Sequence, residues 1–372
     1  ILFLCFVPNV VFAEELVPNG ESSILIEANT GKIIFEKEKD KKVSVASMTK
    51  MVAQIIILEE VENKKIKWDD VVTASRNASG MGGSQIYLEE GEKMTVRDLM
   101  KGISVASAND ATVAMAEYIS GTEEKFVKRM NDKVKELGLV NTHFMNCTGL
   151  DEENHYSTAY DMAMMAKELI RHEKILEFSS IYEDYLRKNT DNSFWLVNTN
   201  KLVRFYSYID GLKTGYTSTA GYCLTATGKK NGMRLITVVM NEDDTDNRTK
   251  DTIAMMDYGF NMYSLEKVIE KQKSLGNIKI NLGKKEYENI ITTSDITVLN
   301  NNQKDKRNVT YDIVTNEVTA PVKVGDEVGK LTIYENGNFM YSIPLTVIND
   351  VEKANIFTVF IRNLKDILSV NL

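Results

Sequence analysis

Val45-Ala46-Ser47-Met48-Thr49-Lys50-Met51 is the stretch on which the reading of this chain turns. Ser47 and Lys50 stand three residues apart. Met48, Met51, Val52, Ile55 and Ile56 then recur at the spacing of a helix face, through about residue 62. On a helix that spacing puts serine and lysine on one side, where a neutral lysine can take the serine's proton. A serine at a helix start also has backbone N–H groups nearby that can hold an oxyanion. Alone, the S-x-x-K pattern carries little weight, because Ser264-Leu265-Glu266-Lys267 repeats it.

Two further patterns raise its weight. Ser107-Ala108-Asn109, an S-x-N, falls between two helical stretches, where polar side chains can project into a cleft. Lys213-Thr214-Gly215 occurs once and opens a strand-like stretch. A lysine there can bind a carboxylate, and the threonine hydroxyl can bond the same group. The glycine lets a substrate backbone lie close to the strand. Each has a plainer counterpart: a turn or N-cap for Ser and Asn, as at Ser75-Arg76-Asn77, and a charged turn for K-T-G. What distinguishes the set is its order along the chain, each copy lying in the context its role requires.

Around these motifs, residues 23–27 and 32–36 flank Ala28-Asn29-Thr30-Gly31 as a hairpin. Helices are predicted from Thr95 through Met100, over 110–119, from Thr122 to the stop at Gly138, and over 160–171. Strands at 222–227 and 235–240 bracket Asn231-Gly232, and a helix at 252–263 closes the unit. Strands at both ends with helices between them predict an α+β domain with one antiparallel sheet built from both of its termini. From Ser264 the pattern changes to short alternating strands at 277–282, 290–293, 309–313, 330–335 and 339–347. The expected division is a leader at 1–13, a catalytic domain at 14–263, an all-β domain at 264–352 and an amphipathic helix at 353–372.

Residues 1–13 are apolar and end Val11-Phe12-Ala13 before Glu14-Glu15, which reads as the end of an export signal cut after Ala13. The run is shorter than the roughly 20 residues of a membrane span, and a buried strand is the alternative. Cys147 and Cys223 remain after such a cut. Export permits a disulfide between them, whereas buried free thiols fit an isolated pair. His143, His155 and His172 show no H-E-x-x-H and no C-x-x-C partner, so neither a metal site nor a cofactor is expected. A net charge of −8 and the lack of a Lys/Arg block argue against a nucleic-acid partner.

The ordered triplet is the motif set of penicillin-binding proteins and class A β-lactamases, with S-x-N in place of S-D-N. The chain resembles the D-alanyl-D-alanine carboxypeptidases, low-molecular-mass penicillin-binding proteins, over nearly everything from Ser22 onward. Gly83-Ser84-Gln85-Ile86-Tyr87-Leu88, Asn141-Thr142-His143-Phe144, Thr148-Gly149-Leu150 and Ala220-Gly221-Tyr222 add to that likeness. Val45, where the family often has proline, is a small departure. The resemblance implies a β-lactamase/transpeptidase-like fold and an exported enzyme acting on peptidoglycan stem peptides, with β-lactams as covalent inhibitors. It implies Ser47 as nucleophile, Lys50 as base, and Ser107 as proton relay. Asn109 would hold the substrate amide, and Lys213 and Thr214 the terminal carboxylate. Gly215 and Tyr216 would border the substrate, with the N–H groups of Ser47 and Tyr216 around the oxyanion. Arg248 would approach the carboxylate or else stand as a surface arginine. A β-lactamase would need an added acid to activate water, and a transpeptidase would share every motif.

In the tail, Ile356, Phe357, Phe360, Ile361, Leu364, Ile367, Leu368 and Leu372 fall on one helix face, with Thr358, Arg362, Lys365, Asp366 and Ser369 on the other. Its charges exclude a spanning orientation. It either packs on the β domain or lies in the membrane interface as an anchor, the second being the expectation.

Overall fold

The computed structural model describes residues 16–301 and 308–369; the expected leader lies outside the described residues. The chain divides into two compact units between Asn261 and Met262.

In the first unit, strands β1 (Ser22–Glu27) and β2 (Ile33–Lys37) form the hairpin at Ala28-Asn29-Thr30-Gly31. Near the other end lie β3 (Ile209–Thr217), β4 (Gly221–Lys230) and β5 (Met233–Glu242). These five make one antiparallel sheet in the order β2-β1-β5-β4-β3, with Leu25 opposite Thr237 and Lys213 opposite Thr225. The sheet is thus closed by both termini of the unit, and β3 is an edge strand.

The helices between are α1 (Lys50–Glu62), α2 (Val96–Ala106), α3 (Asn109–Ser120), α4 (Glu123–Glu136) and α5 (Ala159–Arg171). The starts of α2, α4 and α5 are fixed by side-chain caps: Thr95 accepts from Asp98 N at 3.1 Å, Thr122 from Lys125 N at 3.3 Å, and Thr158 from Asp161 N at 3.1 Å. Helix α1 differs from its expected single apolar face. Every residue from Lys50 to Leu58 is buried, so it runs through the middle of the core rather than along its edge. Its one uncharged polar side chain in that run, Gln54, donates to Ser104 Oγ at 2.8 Å.

Helix α6 (Thr245–Met262) closes the sheet and begins seven residues before the expected start. Its opening turn, Thr245-Asp246-Asn247-Arg248, is polar and shows no apolar period, but Asp244 Oδ1 caps it by accepting from Asn247 N at 2.7 Å. Cys147 and Cys223 are separate buried thiols.

The second unit carries β6 (Tyr263–Ile269), β7 (Ser274–Asn281), β8 (Tyr287–Thr292), β9 (Ile296–Asn301), β10 (Val309–Thr315), β11 (Val318–Thr319), β12 (Gly329–Glu335) and β13 (Asn338–Val347). A six-stranded sheet runs β10-β12-β13-β8-β7-β11, and β6 pairs with β9. Its core is aliphatic, built from residues such as Ile280, Ile296, Leu331, Ile333, Leu345 and Val347. Ser264 and Lys267 lie in β6, where a spacing of three puts side chains on opposite faces, so this second S-x-x-K cannot act as a pair. The terminal helix α7 spans Ile356–Ser369, and no helix among the described residues is long and apolar enough to cross a membrane.

Candidate active site

Ser47 sits in a short 3-10 turn, Ala46–Thr49, that feeds directly into α1. Ala46 holds a left-handed backbone with φ +47°, a conformation an L residue rarely takes. Two glycines allow the surroundings to close on this turn. A Cβ at Gly215 of β3 would lie 2.8 Å from Val45 O and 3.3 Å from Ser47 N. A Cβ at Gly149, with φ +85°, would lie 1.9 Å from Ala46 O. No side chain fits at either place, so the edge strand and the Thr148-Gly149 loop both press against the serine's backbone.

Lys50, one turn on, is completely buried. Its Nζ donates to Ser47 Oγ at 2.8 Å and to Thr148 O at 2.6 Å. Burial pulls its pKa from the ordinary lysine range down to about 7, against the weaker upward pull of Cys147 and Asp110. No carboxylate among the described residues ion-pairs with it. The Thr148 loop is itself held in place: Met145 N donates to His155 Nδ1 at 3.2 Å, so the Nε2 proton of His155 is given to Thr49 Oγ1 at 2.8 Å. Burial lowers the His155 pKa to about 4, which keeps that ring neutral.

Ser107 caps the end of α2 with φ +62°, and Asn109 begins α3. Asn109 Nδ2 donates to Gly82 O at 2.7 Å. Ser107 Oγ and Asn109 Oδ1 are buried without a hydrogen-bond partner among the described residues. Next to them Asp110 accepts from Ile86 N at 3.1 Å and Leu88 N at 3.0 Å, fixing the segment that carries Ser84.

Lys213-Thr214-Gly215 lies in the interior of β3, not at its opening as the sequence suggested. Lys213 is buried and donates to Thr214 O at 2.8 Å; burial first, then the charges of Lys50 and Arg248, hold its pKa well below the lysine range. Thr214 Oγ1 donates to Thr199 Oγ1 at 2.7 Å. Arg248 is not a surface arginine. It is buried in the first turn of α6, its Nε has no partner among the described residues, and desolvation lowers its pKa.

Most of these groups meet at one cleft of about 420 Å³, although Asn109 is not among its lining residues. Ser47, Ser107, Thr214, Gly215, Tyr216 and Arg248 line it. Lys50 and Lys213 are buried behind that lining, Lys50 within hydrogen-bond reach of Ser47. A nucleophilic hydroxyl, a lysine poised near neutrality, unpartnered polar atoms and two further basic groups suit acyl transfer to a substrate bearing a carboxylate. Thr148 and Thr199 complete the arrangement. Thr148 acts through its backbone carbonyl, which no side-chain pattern reveals, and Thr199 lies in a loop whose pairing with β3 exists only in the fold.

A family model described as D-alanyl-D-alanine carboxypeptidase matches residues 11–244, and one described as penicillin-binding protein 5, C-terminal domain, matches 263–353. The chain is 44% identical to D-alanyl-D-alanine carboxypeptidase DacF of Bacillus subtilis (strain 168), over 98% of this chain and 96% of that protein. Against DacA of Escherichia coli (strain K12) the identity is 32%, over 93% and 87%. Penicillin-binding protein 5 from Haemophilus influenzae superposes with a TM-score of 0.71 at 31% identity, covering 90% of this chain and 98% of that one. Penicillin-binding protein D2 from Listeria monocytogenes, in its ampicillin-bound form, superposes with a TM-score of 0.59 at 30% identity, covering 68% and 100%. The chain therefore belongs to the D-alanyl-D-alanine carboxypeptidase family, serine hydrolases of the low-molecular-mass penicillin-binding type.

Proposed function

We propose that this chain removes the terminal D-alanine from peptidoglycan stem peptides through an acyl-enzyme on Ser47, and that β-lactams acylate the same serine. The observation that carries the reading is the 2.8 Å bond between Ser47 Oγ and a Lys50 whose burial brings its pKa to about 7. Neutral Lys50 takes the hydroxyl proton as Oγ attacks the carbonyl between the two D-alanines. The oxyanion develops beside the Ser47 and Tyr216 backbone N–H groups, a reading supported by the close approach of Gly215 in β3 to the Ser47 backbone. Ser107 Oγ passes a proton toward the leaving amine, and Asn109 Oδ1, an unmet acceptor, takes a substrate N–H. The departing residue's carboxylate meets Thr214, Lys213 and Arg248. Burial withholds a counter-charge from Lys213 in the free enzyme, and an arriving carboxylate supplies it. Water then cleaves the ester.

A β-lactamase role has weaker support, because Glu152 and Glu153, the acids nearest the family loop, are exposed and do not line the cleft. The test is product analysis with a peptide ending in D-Ala-D-Ala and an added amine acceptor. Release of free D-alanine with the shortened acid as main product is expected; main product joined to the acceptor would make the chain a transpeptidase.

The reaction is extracytoplasmic, as its wall substrate requires, and the outer face of the cytoplasmic membrane is the place we assign it. Residues 14–263 form the catalytic domain in this reading and 264–352 a separate β domain. Helix α7 exposes Ile356, Phe357 and Phe360, at 89%, 71% and 60%, which suits insertion into a membrane interface. Arg362 ties the same helix to its own unit by donating to Gly283 O at 3.0 Å and Lys284 O at 3.1 Å. Removing the chain after Val351 should make the enzyme soluble on cell fractionation while it still binds penicillin. A full-length enzyme already soluble, with a truncated form that unfolds, would assign the helix to the β unit.

A further inference from the structure

Far along α1 from Lys50, three side chains converge that the hydrolytic reaction does not use. Glu59 stands in the last turns of α1, Glu168 in the last turn of α5, and His172 just beyond that helix. One ligand-type atom from each, two carboxylate oxygens and an imidazole nitrogen, lie within 4.8 Å of one another. His172 is 9% exposed, and its Nε2 is buried with no hydrogen-bond partner among the described residues. That atom faces Glu168 Oε1 at 4.0 Å, too far for a hydrogen bond. The ring's other nitrogen is engaged: Nδ1 stands 2.8 Å from Glu62 Oε2. When the ring donates Nδ1–H to that carboxylate, its neutral form points the Nε2 lone pair toward Glu59 and Glu168, the arrangement by which metal-binding histidines are oriented.

The charges agree with this. Glu59 accepts from Lys133 at 2.8 Å, Lys133 also pairs with Glu136, and Glu168 Oε2 accepts from Arg171 at 2.8 Å. With Glu62, four carboxylates face Lys133, Arg171 and Lys167, whose charge also acts on Glu168, an excess of one negative charge. The ends of α1 and α5 add the negative poles of two helix dipoles at the same place. Mixed imidazole and carboxylate donors suit zinc-like ions better than calcium or magnesium, which prefer oxygen alone. Bonds of about 2.0–2.2 Å put ligand atoms roughly 3.4 Å apart, so small side-chain rotations close the cluster on an ion.

We propose that Glu59, Glu168 and His172 bind one divalent transition-metal ion of the zinc class, with Glu62 orienting the imidazole, and that the ion clamps the ends of α1 and α5 together. No local motif announces the site, since Glu59 is remote in the chain from the E-x-x-x-H of Glu168 and His172.

The test is zinc titration of the chelator-treated full chain by calorimetry, with cobalt loading read by visible absorption and zinc-edge X-ray absorption. One ion per chain, a mixed nitrogen and oxygen shell, and a raised denaturation midpoint are expected. His172→Gln and Glu168→Gln should weaken uptake at least tenfold, and Glu62→Gln, at an exposed residue, roughly 10–100-fold. Penicillin acylation should stay unchanged in each, which reports that the fold is intact. No uptake at tens of micromolar zinc, a shell of oxygen alone, or uptake unaffected in Glu62→Gln overturns the proposal.

Discussion

The interiors of the two units treat charge differently. In the first, Lys50 and Lys213 are buried without an ion-pair partner among the described residues, and Arg248 is nearly so. In the second, the one buried charged residue among those described is Glu288, which accepts from Lys285 at 3.2 Å and from a backbone N–H at 3.0 Å. Burying an unpaired charge costs several kcal/mol, and a fold retains it only where something other than stability is selected. An apolar sheet core with a compensated acid is what stability alone produces. The contrast supports the proposal that the chemistry lies in the first unit, at its unpaired lysines.

The largest effect that sharpens this contrast is expected at Lys50. Lys50→Met keeps length and burial but removes the base, and penicillin acylation should fall about 10²–10⁴-fold. In the native enzyme acylation should rise with pH up to about 7 and then level, as Lys50 becomes neutral. Stability should move with it. The folded pKa lies below the unfolded one, so between about pH 7 and pH 10 the unfolded chain holds the extra proton. Native stability therefore gains with rising pH across that window relative to Lys50→Met, and denaturation midpoints of the two proteins at several pH values check it. Parallel curves would mean that Lys50 is not desolvated as described.

A smaller effect is expected at Lys213. If it meets the terminal carboxylate, Lys213→Gln should lower turnover of a D-Ala-D-Ala acid about tenfold to a hundredfold. The C-terminal amide should already be slow and lose little more. Equal losses on both would break the assignment.

Much of the fold is legible in the sequence. The hairpin turns, the Thr95 and Thr122 caps and the Asn231-Gly232 turn announce themselves because their chemistry is local. Order and context singled out Ser47, Lys50, Ser107 and Lys213 over Ser264 and Ser75 as the proposed site, and the fold gathers Ser47, Ser107 and Lys50 at one cleft. Ser75 proves to be an N-cap, accepting from Ala78 N at 3.0 Å. Long-range features were hidden. The grip of Thr148 O on Lys50 joins residues 98 apart, and the polar first turn of α6 concealed Arg248's place in the cleft. Burial of α1 on all sides depends on what packs around it, which its own period does not specify.

The smallest effect is expected from removing the second unit. A chain ending at Tyr263 should fold and be labelled by penicillin at a rate within about twofold of the full chain, since every lining residue of the cleft lies before Lys250. Loss of labelling would show that the apolar unit takes part in the chemistry and would dissolve the contrast between the two interiors.

The most direct measurement is mass spectrometry of the penicillin-treated protein after proteolysis. A single adduct on the peptide containing Ser47 is predicted, absent in Ser47→Ala and retained in Ser264→Ala. An adduct that persists in Ser47→Ala, or that maps to another serine, would contradict the account.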